Sequence, residues 1–138
     1  MTRVPKYWSR AKNYLSKKDK IMSKLINSYK SPSEIVLKSR RDIFFSLCKS
    51  IIGQQISVAA ANSVFLKFKK KCNYRINPKN VSKLTFKQLK SCGLSRQKVL
   101  GIQSLAKQIL NKSFNPKLIS KMSDEDAIIY LSNLRQIG

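Results

Sequence analysis

The chain has 138 residues, 42% of them hydrophobic, with 29 Lys and Arg against 6 Asp and Glu and no His. Such a composition belongs to one small globular domain; no run nears the ~18 apolar residues of a membrane span, no signal-peptide core follows Met1, and without His neither a Ser–His–Asp or Cys–His nucleophile nor a mixed Cys/His zinc set can be built. The charge of +23, spread along the chain and mostly on Lys, makes a basic folded surface that attracts polyanions, nucleic-acid phosphate above all.

Tyr7, Trp8, Ala11, Tyr14, Leu15, Met22, Leu25, Ile26 and Tyr29 fall at helical spacing and predict two short helices, over 7–15 and 20–29, with Asp19 capping the second. Their aromatic stripe reads as core packing, stacking on bases being the other use of such side chains. Ser31-Pro32-Ser33 breaks the chain, because proline rejects a helix interior. Ser39 with Asp42 has the form of a capping box. That gives Asp42 a structural task rather than a catalytic one, and the same holds for Asp19 and Glu34 near other helix starts. Phe44, Leu47, Ile51 and Ile52 then mark the buried face of a helix, with Cys48 on it as a small core residue. Gly53, Gln54 and Gln55 interrupt the apolar pattern. A glycine and two amides at one exposed point serve as a polar turn, or as donors and acceptors for a base.

Ser57 caps a helix running to about Lys71 that is expected to bury Val58, Ala61, Phe65 and Phe68. Its basic end, Lys67-Phe68-Lys69-Lys70-Lys71, complements the helix dipole or contacts phosphate. Pro78 suits the first turn of a short helix, Thr85 caps another over 86–91, and Gly93 is its left-handed stop. Ser95 opens a longer helix to about Asn111, with Val99, Ile102, Leu105, Ala106, Ile109 and Leu110 on its inner face. Ser123 and Asp126 form a second capping box before the last apolar run, 127–134. Asp124, Glu125 and Asp126 therefore complement a helix dipole instead of forming a metal or acid–base cluster. Cys48, Cys72 and Cys92 are odd in number and far apart, so neither a disulfide framework nor an iron–sulfur cluster is expected.

Ser50-Ile51-Ile52-Gly53-Gln54-Gln55-Ile56-Ser57, followed by Ala59-Ala60, resembles the signature of the helix-hairpin-helix DNA glycosylases, in the 3-methyladenine DNA glycosylase II branch. Cys92-Gly93-Leu94-Ser95-Arg96-Gln97-Lys98 resembles a second segment of that family, in the correct order. Leu134-Arg135-Gln136-Ile137-Gly138 resembles the start of its hairpin, with Gln136 where the family has its first glycine.

The resemblance implies an all-α, multi-helix DNA glycosylase of the helix-hairpin-helix type. Residues 1–138 would be a single helical domain, the amino-terminal two-thirds of the whole. The hairpin would begin at about 134–138, and the carboxyl-terminal part with the catalytic aspartate would lie beyond Gly138, so no residue here is expected to be catalytic. The implied activity is base excision repair: an alkylated purine is swung out of the stack and its N-glycosidic bond hydrolysed. Gln55 would be the wedge that fills the vacated space and Gln54 its support, while Ile137 and Gly138 would bring the hairpin's backbone amides to a phosphate. The implied partner is double-stranded DNA containing damaged bases. No membrane, metal or cofactor is implied beyond a monovalent cation at the hairpin of the complete protein. That protein would be a monomer in the cytoplasm, associated with a bacterial nucleoid, or otherwise intracellular. The alternatives are a non-catalytic basic helical nucleic-acid-binding module and a glycosylase of another base specificity. A domain cut at its hairpin would leave apolar faces uncovered, so weak stability and association are expected.

Overall fold

The computed structural model describes residues 5–29 and 42–138. Every regular element among them is helical, and none is long and apolar enough to cross a membrane. The chain divides into two compact units, Met1–Arg41 and Asp42–Gly138.

In the first unit, α1 (Trp8–Lys18) and α2 (Lys20–Ser28) pack on one another. Asp19 makes the joint. Its amide donates to Leu15 O at 3.0 Å, closing α1, and its carboxylate accepts from the amides of Ile21 and Met22 at 2.7 and 2.9 Å, opening α2. Helix α1 runs past the expected residue 15 because Lys17 and Lys18 are good helix formers that favour the negative end of the dipole. The stripe expected to be core is only partly so. Trp8, Ala11, Met22 and Ile26 are half-buried, whereas Tyr14 is 61% exposed and Leu25 50%. Two packed helices cover one narrow seam, and side chains off that seam are not covered by the described residues of the unit. Ser31, Pro32, Ser33, Glu34 and Ser39 lie outside the described residues.

The second unit contains α3 (Ile43–Gly53), α4 (Val58–Lys71), α5 (Pro78–Ser82), α6 (Phe86–Lys90), α7 (Arg96–Leu110), a 3-10 helix (Pro116–Lys121) and α8 (Asp124–Ser132). Asp42 itself caps α3, its carboxylate accepting from the Phe45 amide at 2.9 Å, so the helix starts three residues later than a Ser39 cap would place it. Ser57, Asn77, Thr85, Ser95, Asn115 and Ser123 each accept from an amide of the first turn that follows. The reciprocal capping box forms at Thr85 and Gln88. These caps satisfy donors that helix geometry leaves orphaned, typically by ~1 kcal/mol each.

Helix α7 is the hub, packing against α3, α5 and α6. Ile51, Phe68, Leu89, Val99 and Ile102 are fully buried between these helices, each such side chain stabilising the fold by about 1.5–3 kcal/mol. Cys48, Cys72 and Cys92 belong to the same core. Burial raises all three thiols, Cys72 from its ordinary 9.0 to about 11, so none is a ready nucleophile.

Two expected core residues are on the surface. Val58 is 78% exposed. Ala61, one turn later, already faces the end of α3 at Gly53, so Val58 projects past its neighbour. Leu110, 49% exposed, borders an open depression beside Val81 and Leu84 without closing it. No residue of α8 is buried, and Ile128 and Ile129 are 65% and 64% exposed. The helix is anchored instead by Tyr130, which stacks on Phe114 at 5.0 Å and accepts from the Asn115 amide, and by Leu134 just beyond its end.

Candidate nucleic-acid interface

Helix α3 stops at Gly53 because the apolar period stops there. The Gln54 amide still reaches back to Ile51 O at 3.4 Å, but the Gln54 backbone is extended (φ −60°, ψ 130°) and Gln55 turns left-handed at φ +57°. Ser57 then caps α4 by accepting from Ala60 N at 3.2 Å. Gln55 is left exposed at the tip of this turn, while Gln54 is half-buried beneath it.

The turn is held from below by Lys98. Its ammonium donates to Ile52 O at 2.9 Å and to Gln54 O at 2.8 Å. A cation at the carbonyl end of a helix meets both orphaned acceptors and the negative dipole. Lys98 is brought there by α7, whose cap Ser95 accepts from the Lys98 amide at 3.3 Å. The turn before α7 depends on Gly93, whose φ of +95° favours glycine and where a Cβ would come within 3.2 Å of Val64.

The carboxyl-terminal segment folds against the same turn. Leu134 is buried, and the Ile137 amide donates to Leu134 O at 3.1 Å. Gln136 takes the left-handed conformation (φ +69°) expected of a hairpin glycine. Its carbonyl accepts from Gln54 Nε2 at 2.6 Å, across 82 positions of sequence. Its side chain lies on Gly101 of α7, so closely that a Cβ there would sit 2.8 Å from Gln136 Cγ.

Gln54, Gln55, Gln136, Ile137 and Gly138 line one open depression of about 490 Å³. The four residues singled out in the sequence, Gln54, Gln55, Ile137 and Gly138, are therefore neighbours. Their backbones differ, for the Ile137 amide is engaged within the chain, whereas Gly138 is exposed. The sequence assigned no part to Lys98 or Gly101, and gave Gln136 only the place of the hairpin's first glycine. Lys98 stands in the Gly-Leu-Ser-x-x-Lys segment without showing which carbonyls it meets. Gly101 carried a readable signal, since a glycine inside a helix costs about 1 kcal/mol relative to alanine and marks a close approach.

The depression is lined by amides and backbone, and no acid side chain among the described residues lines it. Asp19 and Asp42 cap helices, and Asp124, Glu125 and Asp126 occupy the first turn of α8. This chemistry suits contact with a base edge or a phosphate, not proton transfer. For the implied monovalent cation the segment offers the carbonyls of Leu134 and Gln136, each already accepting one hydrogen bond and keeping one lone pair. Among the described residues no group of His, Cys, Asp or Glu is placed to hold a metal ion.

Residues 48–135 match the family model described as HhH-GPD superfamily base excision DNA repair protein. The chain is 28% identical over 134 residues to the alkylbase DNA glycosidase-like protein mag2 of Schizosaccharomyces pombe, covering 94% of this chain and 62% of that protein. It is 24% identical over 122 residues to DNA-3-methyladenine glycosylase 1 of the same organism, covering 86% of this chain and 52% of that one. The fold is similar to that of S. pombe 3-methyladenine DNA glycosylase (Mag1) solved in complex with abasic DNA, with a TM-score of 0.78, 22% identity, and coverage of 94% of this chain and 64% of that chain. The chain thus spans between half and two-thirds of the length of the proteins it matches.

Proposed function

The chain belongs to the HhH-GPD superfamily of base excision DNA repair proteins, and from that membership we propose that the Gln54–Gln55 turn and residues 136–138 grip damaged double-stranded DNA. The observation that carries this reading is the shared depression: two segments 82 positions apart, joined by the Gln54 to Gln136 hydrogen bond, face the same space. Gln55, exposed on a left-handed backbone, is the wedge that enters the stack when a base leaves it. Its amide offers both a donor and an acceptor to the orphaned partner base. Gln54 supports the wedge, and the Gly138 amide faces a phosphate. Lysines over the rest of the surface add affinity that ignores sequence.

The substrate class is an alkylated purine in DNA. Such a base is cheaper to extrude than a normal one, and its positive charge makes it the better leaving group when water replaces it at the sugar. Hydrolysis is proposed for a protein of the relatives' full length, with the aspartate supplied by residues past Gly138. Residues 1–138 supply binding and base extrusion, and the protein of the relatives' full length acts inside the cell as a monomer.

The test compares this chain with a version extended to the relatives' length. Both are expected to bind a duplex with an abasic site more tightly than an intact one, and only the longer version to release methylated purines from alkylated DNA. Gln55→Ala should lower the preference for the abasic duplex about ten-fold, equivalent to about 1.4 kcal/mol. Equal affinity for both duplexes, unaffected by Gln55→Ala, would instead indicate a basic helical module that binds nucleic acid without reading damage.

A further inference from the structure

We propose that Lys98 is a positioning residue that fixes the Gln54–Gln55 turn in the conformation that enters DNA. The proposal deepens the reading above and rests on it. Helix α3 ends in carbonyls that no helical amide can reach, and two of them, on Ile52 and Gln54, converge on one ammonium. They can converge only because the backbone bends between them and the next residue, extended at Gln54 and left-handed at Gln55. The bend that aims these carbonyls at Lys98 is continuous with the one that leaves Gln55 exposed at the tip.

Lys98 can hold this bend because it is itself held. It is half-buried, its amide is bonded to Ser95, and the next residue, Val99, is fully buried in the core. The same stretch of α7 also meets the other half of the depression. Gln97 Oε1 accepts from Arg135 at 2.8 Å, and Gly101 receives Gln136. One rigid helix therefore positions both segments, and Lys98 is its cationic contact with the first. Two of the three ammonium protons are committed to carbonyls, which makes Lys98 a poor phosphate contact.

The experiment uses the 138-residue chain with Lys98→Met, which keeps most of the stem and removes charge and donors. Binding is measured to an intact duplex and to one with an abasic site opposite 2-aminopurine, whose fluorescence reports unstacking. Lys98→Met should lower the preference for the abasic duplex about ten-fold, leave the salt slope unchanged, and mask any further effect of Gln55→Ala. Fully additive losses, or a slope reduced by about one, would overturn the proposal.

A second measurement needs no DNA. Amide hydrogen exchange in the free chain should quicken at residues 53–56 in Lys98→Met while α5 and α7 keep their protection, and unchanged exchange at 53–56 overturns the proposal. If the unsubstituted chain shows no preference for the abasic duplex, the DNA reading fails by itself and the exchange result alone decides the role of Lys98. Should Lys98→Met not fold, Lys98→Arg, with a planar head that cannot place one point charge between both carbonyls, is taken through the same two assays.

Discussion

Gln55 and Gln136 both hold left-handed backbones that cost a side-chain-bearing residue about 1–2 kcal/mol. Asn73, Tyr74 and Lys112 do so as well; they follow the ends of α4 and α7, as Gln55 follows the end of α3, where such a residue is a usual helix stop. The two glutamines also border the depression, where strain has a use if it fixes a contact before the ligand arrives. The cysteines present the opposite case, residues with reactive chemistry and no access. Burial raises Cys48, with smaller contributions from Cys72 and Asp42; it raises Cys72 to about 11, with Cys92 adding to the effect; and it raises Cys92 against the opposing pull of Lys71 and Lys67. The folded chain therefore holds these protons more tightly than the unfolded chain. That contribution is complete below about pH 8.5 and shrinks as the pH climbs toward 11. Urea midpoints should fall between pH 8 and pH 10, and a thiol reagent should label all three sites only as the chain unfolds. Rapid labelling at neutral pH without urea would show that this core is not closed.

At the scale of elements, α7 carries the most consequence for the least visible sequence signal. Gly101→Ala would place a methyl group 2.8 Å from Gln136 Cγ, 3.2 Å from its Cβ and 3.4 Å from Arg135 O. Two of these atoms, Gln136 Cβ and Arg135 O, are fixed by the backbone, and Gln136 Cγ is only one bond further out, so the segment must shift. A loss of about 1–3 kcal/mol in stability is expected, together with weaker binding to the abasic duplex. Unchanged urea and binding curves would mean that residues 134–138 are not held against α7. Most of the helices could be read in advance because their starts are written locally: Asp19, Ser57, Thr85, Ser95 and Ser123 each announce a first turn. The exposure of Val58 could not, since periodicity shows which face is apolar but not where the neighbouring helix ends. For the same reason Gln54, Gln55, Ile137 and Gly138 were identifiable from short motifs. Their meeting through the Gln136 carbonyl and the Lys98 ammonium depends on tertiary packing that no local pattern encodes.

The whole molecule is governed by its charge of +23. Salt should act in two opposite directions. Screening, with a Debye length of about 10 Å at 0.1 M, relieves self-repulsion and should raise the melting temperature of the free chain. The same salt should weaken DNA binding with a log–log slope of several units, because phosphate contacts release counterions. A melting temperature that falls with added salt, or a binding slope near zero, would contradict one arm or the other. Exposed Ile21, Val58, Ile128 and Ile129 add scattered apolar surface to this basic exterior, and the association expected from it is measurable by sedimentation at high salt, where repulsion no longer hides it. The capping pattern bears on a different stress. Among the described residues six helix starts rest on Ser57, Asn77, Thr85, Ser95, Asn115 and Ser123, side chains with no proton to gain in acid, while only α2 and α3 begin on carboxylates. Vinegar-like acidity, which loosens proteins stitched together by ion pairs, leaves those six stitches as they were. Far-ultraviolet circular dichroism at pH 3 should accordingly retain most of the helix signal, and its early collapse would mean that something other than these caps keeps the helices wound.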